Sequence, residues 1–480
     1  MLSIKSEIKK GAKWTSLSTI IITLIQIVQF WLLGNTLTIH EFGLVGMLTT
    51  IIIFSQIILD LGLGSAIIQK EQASHRQLST LFWLNLLLGV LLFIVLQLGS
   101  RIFASFFHED ALIPAVRLLS FMFLIAPIGQ QAQYLMQKKL SFQLIGKLET
   151  ISAISSFLLL LLLLFTHIVA PIMAFVLSQV VLYSLKGILY YCFYRKIWKP
   201  SFVFDIKCCK EFFSFGLYQL LSRMVNRIGS NMDVLLIGKF MGMEALGIYN
   251  LVYQIVTVPV LKINPIVTRV AFPVFSKVQH EKKLLVDGFL YMTKLLALLS
   301  FPLLIGLFAV ADLFIATFFG KEWMDAVPIL KIMLIVGIFR VLSNPNGSVI
   351  LAKGKANIAF YWDTAVMFLY GFALFTAVLT NQLEVVAWTY AVVSFVNFLM
   401  GRWLLAYLIH LRWGEYVNAV AVPFLLAIVI ACIAYLVKWI TSFYHNGTIF
   451  VLSLSVAASA LVYILLLKKY LLKEVVQKVR

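Results

Sequence analysis

Apolar runs of about twenty residues, broken by short polar stretches, fill almost the whole chain. A run of that length spans the hydrocarbon core of a bilayer as a helix. Fourteen such spans are predicted: 14–34, 42–63, 80–100, 112–135, 148–166, 168–192, 212–237, 246–272, 289–311, 327–350, 357–379, 385–409, 416–437 and 448–467. The expected fold is therefore an all-α integral membrane protein. Every second connection is basic. Segments on one side hold 25 of the 39 Lys and Arg residues, those on the other side hold 4, and 10 lie within spans. By the positive-inside rule both termini are cytoplasmic.

A faint repeat overlies this pattern. Leu33-Gly34, followed after seven residues by Phe42-Gly43-Leu44, returns as Ile237-Gly238 and Leu246-Gly247-Ile248 at an offset of 204. Trp14 and Tyr218 share the offset. Both copies run from inside to outside, which predicts a parallel pseudo-repeat of two six-helix lobes, 1–192 and 212–409. Residues 193–211 form a basic cytoplasmic linker between them, and 410–480 hold two extra helices and a basic tail. Repeats of this kind are common in secondary transporters, with the binding site where the repeats meet.

Composition sharpens the reading. The chain has 480 residues, 62% of them hydrophobic and only 12% charged, with mean hydropathy +0.98. Soluble domains carry about 25% charged residues. The net charge of +19 would suit nucleic acid, but its concentration in alternate loops is a topology signal, and no nucleic-acid partner is expected. Arg195, Lys196, Lys199, Lys207 and Lys210 suit anionic lipid headgroups. The start, MLSIKSEIKKGAK and then Trp14–Leu33, has too long an apolar part for a signal peptide and reads as an uncleaved first span. Cys192, Cys208, Cys209 and Cys432 show no metal-ligand spacing, so no metal or cofactor is expected. Nucleotide-loop, HExxH and G-x-S-x-G motifs are absent from the sequence, and no external loop is large enough for a catalytic domain.

Chemistry is then sought among charges inside spans, where a cation costs about 2.5 to 3.5 kcal/mol at mid-bilayer. Arg223 and Arg227 lie four residues apart on one helical face. With Arg340 and Lys262 they are the deepest cations, all in the expected second six-helix lobe, and would make one wall of a cavity positive. Such a wall suits pyrophosphate or acidic sugars; the other reading is pairing with an acid or carbonyls on a neighbouring helix. Lys186, Arg269 and Arg402 lie in the inner parts of their spans, where long stems reach headgroups. Pro259 and Pro265 flank Lys262 and suit either a hinge or an ordinary membrane helix. Asp60 and Asp233 are candidates for ion coupling, though Asp60, Glu149 and Asp363 also fit a solvated interface. Gln26, Gln29, Gln56 and Asn85 could meet sugar hydroxyls or join helices.

The run Asp60-Leu-Gly-Leu-Gly-Ser-Ala-Ile-Ile-Gln69-Lys70, with Leu78-Ser-Thr-Leu-Phe-Trp83-Leu-Asn85-Leu-Leu-Leu-Gly89, resembles the Wzx-type polysaccharide flippases, in particular the colanic-acid and teichuronic-acid exporter branch. Lys10-Gly11-Ala-Lys13-Trp14 and Glu41-Phe42-Gly43-Leu44 are similar too. The resemblance implies the superfamily of multidrug, oligosaccharidyl-lipid and polysaccharide transporters and alternating access. It also implies an undecaprenyl-pyrophosphate-linked oligosaccharide as substrate in a bacterial inner membrane, alongside polysaccharide polymerase and export machinery. The extra two helices would hold a lipid tail. A cation-coupled drug antiporter of the same superfamily should place carboxylates rather than arginines in its cavity. A membrane enzyme of polysaccharide assembly should turn over a soluble acceptor, and a scaffold should tolerate loss of every intramembrane arginine.

Overall fold

The computed structural model describes the backbone of residues 2–61, 63–70, 73–277, 281–442 and 447–479, with side chains over most of these. Every regular element described is helical. Internal contacts divide the chain into unit 1, Met1–Gly247, and unit 2, Ile248–Arg480. Unit 1 holds α1 (Leu2–Thr36), α2 (Ile39–Asp60), α3 (Leu63–Gln69), α4 (His75–Phe107), α5 (Leu112–Ser120), α6 (Met122–Lys138), α7 (Phe142–Thr166), α8 (Pro171–Tyr194) and α9 (Lys210–Phe240). Next, α10 (Gly242–Lys277) begins in unit 1 and continues into unit 2. Unit 2 goes on with α11 (Lys282–Ala309), α12 (Ala311–Phe318), α13 (Ala326–Ser343), α14 (Asn346–Ala352), α15 (Ala356–Val378), α16 (Leu383–Ile409), α17 (Trp413–Ser442) and α18 (Thr448–Val479).

Among the described residues, twelve helical stretches are long and apolar enough to cross a membrane. The other two expected spans coincide with α9 and α10, of 31 and 36 residues, which carry Arg223, Arg227 and Lys262 of the deep cations. This is a multi-pass membrane protein. The contact division falls downstream of the basic 193–211 segment because α9 packs on α2, α3 and α4.

Local chemistry sets the helix ends. Thr38 and Glu41 form a capping box at the start of α2, and Ser74 and Gln77 form one at the start of α4, each satisfying two otherwise orphaned backbone donors. Left-handed Leu61 and His108 terminate the same two helices. Two expected spans are interrupted: 112–135 divides into α5 and α6 at Phe121, and 327–350 divides into α13 and α14 at Asn344-Pro345. Proline cannot donate to the helix ladder, and the flanking bonds from Asn344 to Val341 and from Val349 to Pro345 stretch to 3.4 Å.

The glycines of the repeat meet. A Cβ on Gly43 would overlap the carbonyl oxygen of Met243, and one on Gly247 would overlap the carbonyl oxygen of Ile39. Residues 39 and 243 are themselves 204 apart, so the crossing of α2 with the first turn of α10 maps onto itself under the sequence offset.

The basic connection after α8 is folded against α4. Ser201 N–H donates to Ser79 Oγ at 3.0 Å, Asp205 N–H to Thr80 Oγ1 at 3.1 Å, and Trp83 Nε1–H to the Ser201 carbonyl at 2.9 Å. Arg76 pairs with Asp205, and Gln77 donates to the Cys208 carbonyl. Cys209 ends this clamp, buried at 0% exposure. Burial, followed by the adjacent Cys208, pushes its thiol up to about 12. The thiolate is the reactive form, so maleimide at about pH 8 should leave Cys209 unmodified in the folded protein. Peptide mapping of a Cys208→Ser variant checks this; rapid labelling of Cys209 would contradict it.

Candidate functional site

In unit 1 a cavity of about 300 Å³ is lined by residues including Gln56, Asp60, Gln130, Gln133, Tyr134 and Lys186. Its polar wall begins at Asp60, the last residue of α2. The helix ends at left-handed Leu61, and Gly64 N–H returns to Asp60 Oδ1 at 3.2 Å. Tyr134 donates its hydroxyl to the same oxygen, and Gln130 Nε2 donates to Tyr134 at 2.7 Å. Gly64 is required here, because a Cβ would enter the Tyr134 ring. Arg223 of α9 pairs with Asp60 Oδ2. The Asp60 side chain is 13% exposed and that of Arg223 44%, so the carboxylate is enclosed while its counter-cation stays accessible.

A second pair stands on the same wall. Lys186 Nζ lies 2.9 Å from Glu149 Oε1, and buried Tyr190 donates to that oxygen at 3.0 Å. The buried Gln130 Oε1 atom has no hydrogen-bond partner among the described residues. The cavity therefore offers a carboxylate, an ammonium, phenols and amides together, a set able to exchange hydrogen bonds with hydroxyl-rich ligands.

In unit 2 the corresponding feature is a lone cation. Arg340, one turn before the Asn344-Pro345 interruption, donates Nη1 to Thr257 Oγ1 at 2.9 Å and Nη2 to the Tyr390 hydroxyl. Its guanidinium carbon lies 5.3 Å from the Tyr253 ring centre and 5.2 Å from that of Tyr390. Tyr370 extends the aromatic wall, 5.0 Å from Tyr390 and 2.7 Å from Ser394 Oγ. Among the described residues no carboxylate pairs with Arg340. Phenol and hydroxyl groups hold the guanidinium in place without cancelling its charge, and ring faces attract a cation.

Of the residues expected from sequence, Asp60, Arg223 and Gln56 come together at the unit 1 cavity. Arg227 is exposed and forms no ion pair among the described residues. Gln26 is exposed and Gln29 half-buried on α1. Asn85 is 1% exposed, with neither amide atom partnered among the described residues. Asp233 is 4% exposed and its Oδ1 accepts from Val234 N–H at 2.9 Å. The side chain of Lys262 lies outside the described residues, as do those of Pro259, Pro265 and Arg269. Three readings change. Lys186, expected to reach headgroups, instead pairs with Glu149 and lines the cavity. Asp60 is enclosed in an ion pair rather than solvated, because α9 brings Arg223 to it. Arg402, expected to reach headgroups, is 2% exposed, because α11 and α17 close over it. Tyr134, Tyr190 and the tyrosines around Arg340 were not singled out by sequence. A Gln130/Tyr134 spacing of one helical turn was the available signal for the first.

No cluster of His, Cys, Asp and Glu able to hold a metal ion occurs among the described residues. Fold and sites together define a helical multi-pass protein with a duplicated glycine crossing and arginines held at intramembrane hydroxyl and carboxylate groups. A family model described as "Polysaccharide biosynthesis protein" matches residues 32–328. The chain belongs to this family. It is 56% identical over 469 residues, 98% of this chain and 97% of the relative, to the teichuronic acid biosynthesis protein TuaB of Bacillus subtilis (strain 168). It is 32% identical to the lipopolysaccharide biosynthesis protein WzxC of Escherichia coli (strain K12), over 77% of this chain and 75% of that protein. Among solved structures it matches a lipid II flippase, MurJ, in an inward closed conformation. The TM-score is 0.76, with 13% identity, over 96% of this chain and 99% of that one. That likeness shows the fold, which places the chain in the architecture its sequence resembled.

Proposed function

We propose that this protein is a flippase that moves an undecaprenyl-pyrophosphate-linked oligosaccharide, the repeat unit of a surface polysaccharide, across the bacterial inner membrane by alternating access. The observation that carries this is near full-length identity of 56% to a teichuronic acid biosynthesis protein on a flippase-like helical scaffold. The arrangement of charge supports an anionic substrate. Arg340 has hydroxyl and ring partners but no carboxylate among the described residues, and Arg223 is accessible beside Asp60. Arg227 and Lys262 belong to the same proposed anion-binding set. Gln56 and the unit 1 cavity suit sugar hydroxyls, with Gln26, Gln29 and Asn85 as further candidates.

In this reading Asp60 is the resident counter-ion of Arg223, released when phosphate oxygens take over the guanidinium, and then available with Asp233 for a coupling ion. The lobes 1–192 and 212–409 carry the motion, 193–211 joins them at the cytoplasmic surface with both termini, and 410–480 cradle the lipid tail. The protein is a transporter rather than an enzyme, handing its product to polymerase and export machinery.

Proteoliposomes containing a labelled undecaprenyl-pyrophosphate oligosaccharide test the reading. Wild-type protein should carry the label between leaflets, and an equally inserted Arg223→Gln/Arg227→Gln protein should not. Efflux of a cationic dye without movement of the lipid would replace the substrate class; equal movement in both proteins would remove this anion site.

A further inference from the structure

Arg402 differs from every other cation described above. It lies in α16 at 2% exposure, and three rings surround it. Its guanidinium carbon is 4.5 Å from the centre of Tyr416 on α17, 5.0 Å from Phe289 on α11 and 5.6 Å from Phe398 one turn earlier on α16. One nitrogen, Nη2, donates to the side-chain oxygen of Asn346, the first residue of α14. Among the described residues the inaccessible Nε and Nη1 atoms have no hydrogen-bond partner, and neither has the buried hydroxyl of Tyr416. No Asp or Glu forms an ion pair with Arg402 among the described residues.

Ring faces attract a cation but do not accept its N–H groups in line as an oxygen or an anion would. A guanidinium is donor-only and stays charged at any physiological pH. Burying it with unanswered donors is therefore unfavourable both for its charge and for its hydrogen bonds. Arg340 meets the same demand with two hydroxyls; Arg402 has a single amide oxygen. What the site lacks is an acceptor, and a negatively charged one answers both demands at once. Three rings within 5.6 Å and near-complete burial enclose the group too closely for a phosphate or a carboxylic acid.

We propose that Arg402, with the Tyr416 hydroxyl, binds a single monovalent anion of halide size inside unit 2. The ion completes a joint at which α11, α14, α16 and α17 meet. It is separate from the proposed substrate-binding set and holds whether or not that reading does. Because α17 is the first of the two helices beyond the twelve of the paired lobes, the bound anion secures that extra pair to unit 2.

The test uses the full-length protein purified in detergent. Thermal unfolding is compared in sodium chloride, sodium bromide and sodium gluconate at equal ionic strength. A ligand that binds the folded state raises the midpoint in a saturable way. Halide is expected to raise it by about 5 °C over gluconate. Arg402→Met, which removes the charge while keeping the bulk, should abolish the difference. Tyr416→Phe keeps the fold and one fewer donor, and should shift the halide titration to about fivefold higher concentration. Crystals grown in bromide should show an anomalous peak within hydrogen-bonding distance of Arg402 Nε or Nη1. Equal midpoints in the three salts would overturn the proposal. So would a halide effect that survives Arg402→Met, or density for water without an anomalous signal at the site.

Discussion

Arg340→Gln is expected to slow translocation of the lipid-linked oligosaccharide by about tenfold to a hundredfold, with insertion and melting temperature close to wild type. A hydrogen bond to a charged group contributes about 1.5–3 kcal/mol, and each 1.4 kcal/mol is a factor of ten in rate. Glutamine retains a donor toward Thr257 or Tyr390 but no charge, so the tyrosine wall keeps its shape while the attraction for phosphate or acidic sugar disappears. Arg340→Lys should restore part of the rate. Its ammonium keeps the charge but cannot span Thr257 and Tyr390 as a planar fork does. Initial rates in proteoliposomes, normalised to correctly inserted protein, decide the matter. Wild-type rates for the glutamine variant would show that Arg340 only joins helices.

The second large effect is on stability and comes from the glycine crossing. Gly43→Val places a branched side chain against the Met243 carbonyl, and Gly247→Val does the same against Ile39. Backbone cannot give way as a side-chain tip does, so α2 and the first turn of α10 must part. Overpacking of this kind typically costs about 1–3 kcal/mol. The diagnostic measurement is the double variant. Once one valine has opened the crossing, the second meets space already made, and neighbouring substitutions of this kind are not additive. Unfolding in detergent should therefore show a double variant little worse than the worse single. Fully additive losses would mean that the two glycines do not share one contact.

Much of this was legible in the chain. Apolar runs located fourteen helical spans, because bilayer thickness leaves little freedom in helix length. The 204-residue offset located the glycines that meet. The signals that failed were those depending on which neighbour a side chain faces. Arg223 was legible as too deep to face lipid, but its partner Asp60 lies 163 residues away, and no local spacing links them. Arg402 has the stem length to reach headgroups, and only the closure of α11 and α17 prevents it. Asn344-Pro345 was a visible break signal, submerged in an otherwise continuous apolar run. The backbone bonds of Ser201 and Asp205 to α4 likewise link positions more than 120 residues apart, which no local spacing announces.

The crossing at Gly43 and Gly247 has a further consequence. A contact in which residue 43 meets position 243, while 247 meets 39, is the single-chain form of an isologous interface, the kind identical subunits make about a two-fold axis. Each helix end then carries a surface complementary to itself. A shorter protein holding one copy of the repeat would pair with another such chain through this same contact. Joining both copies on one polypeptide removes the concentration dependence of that pairing.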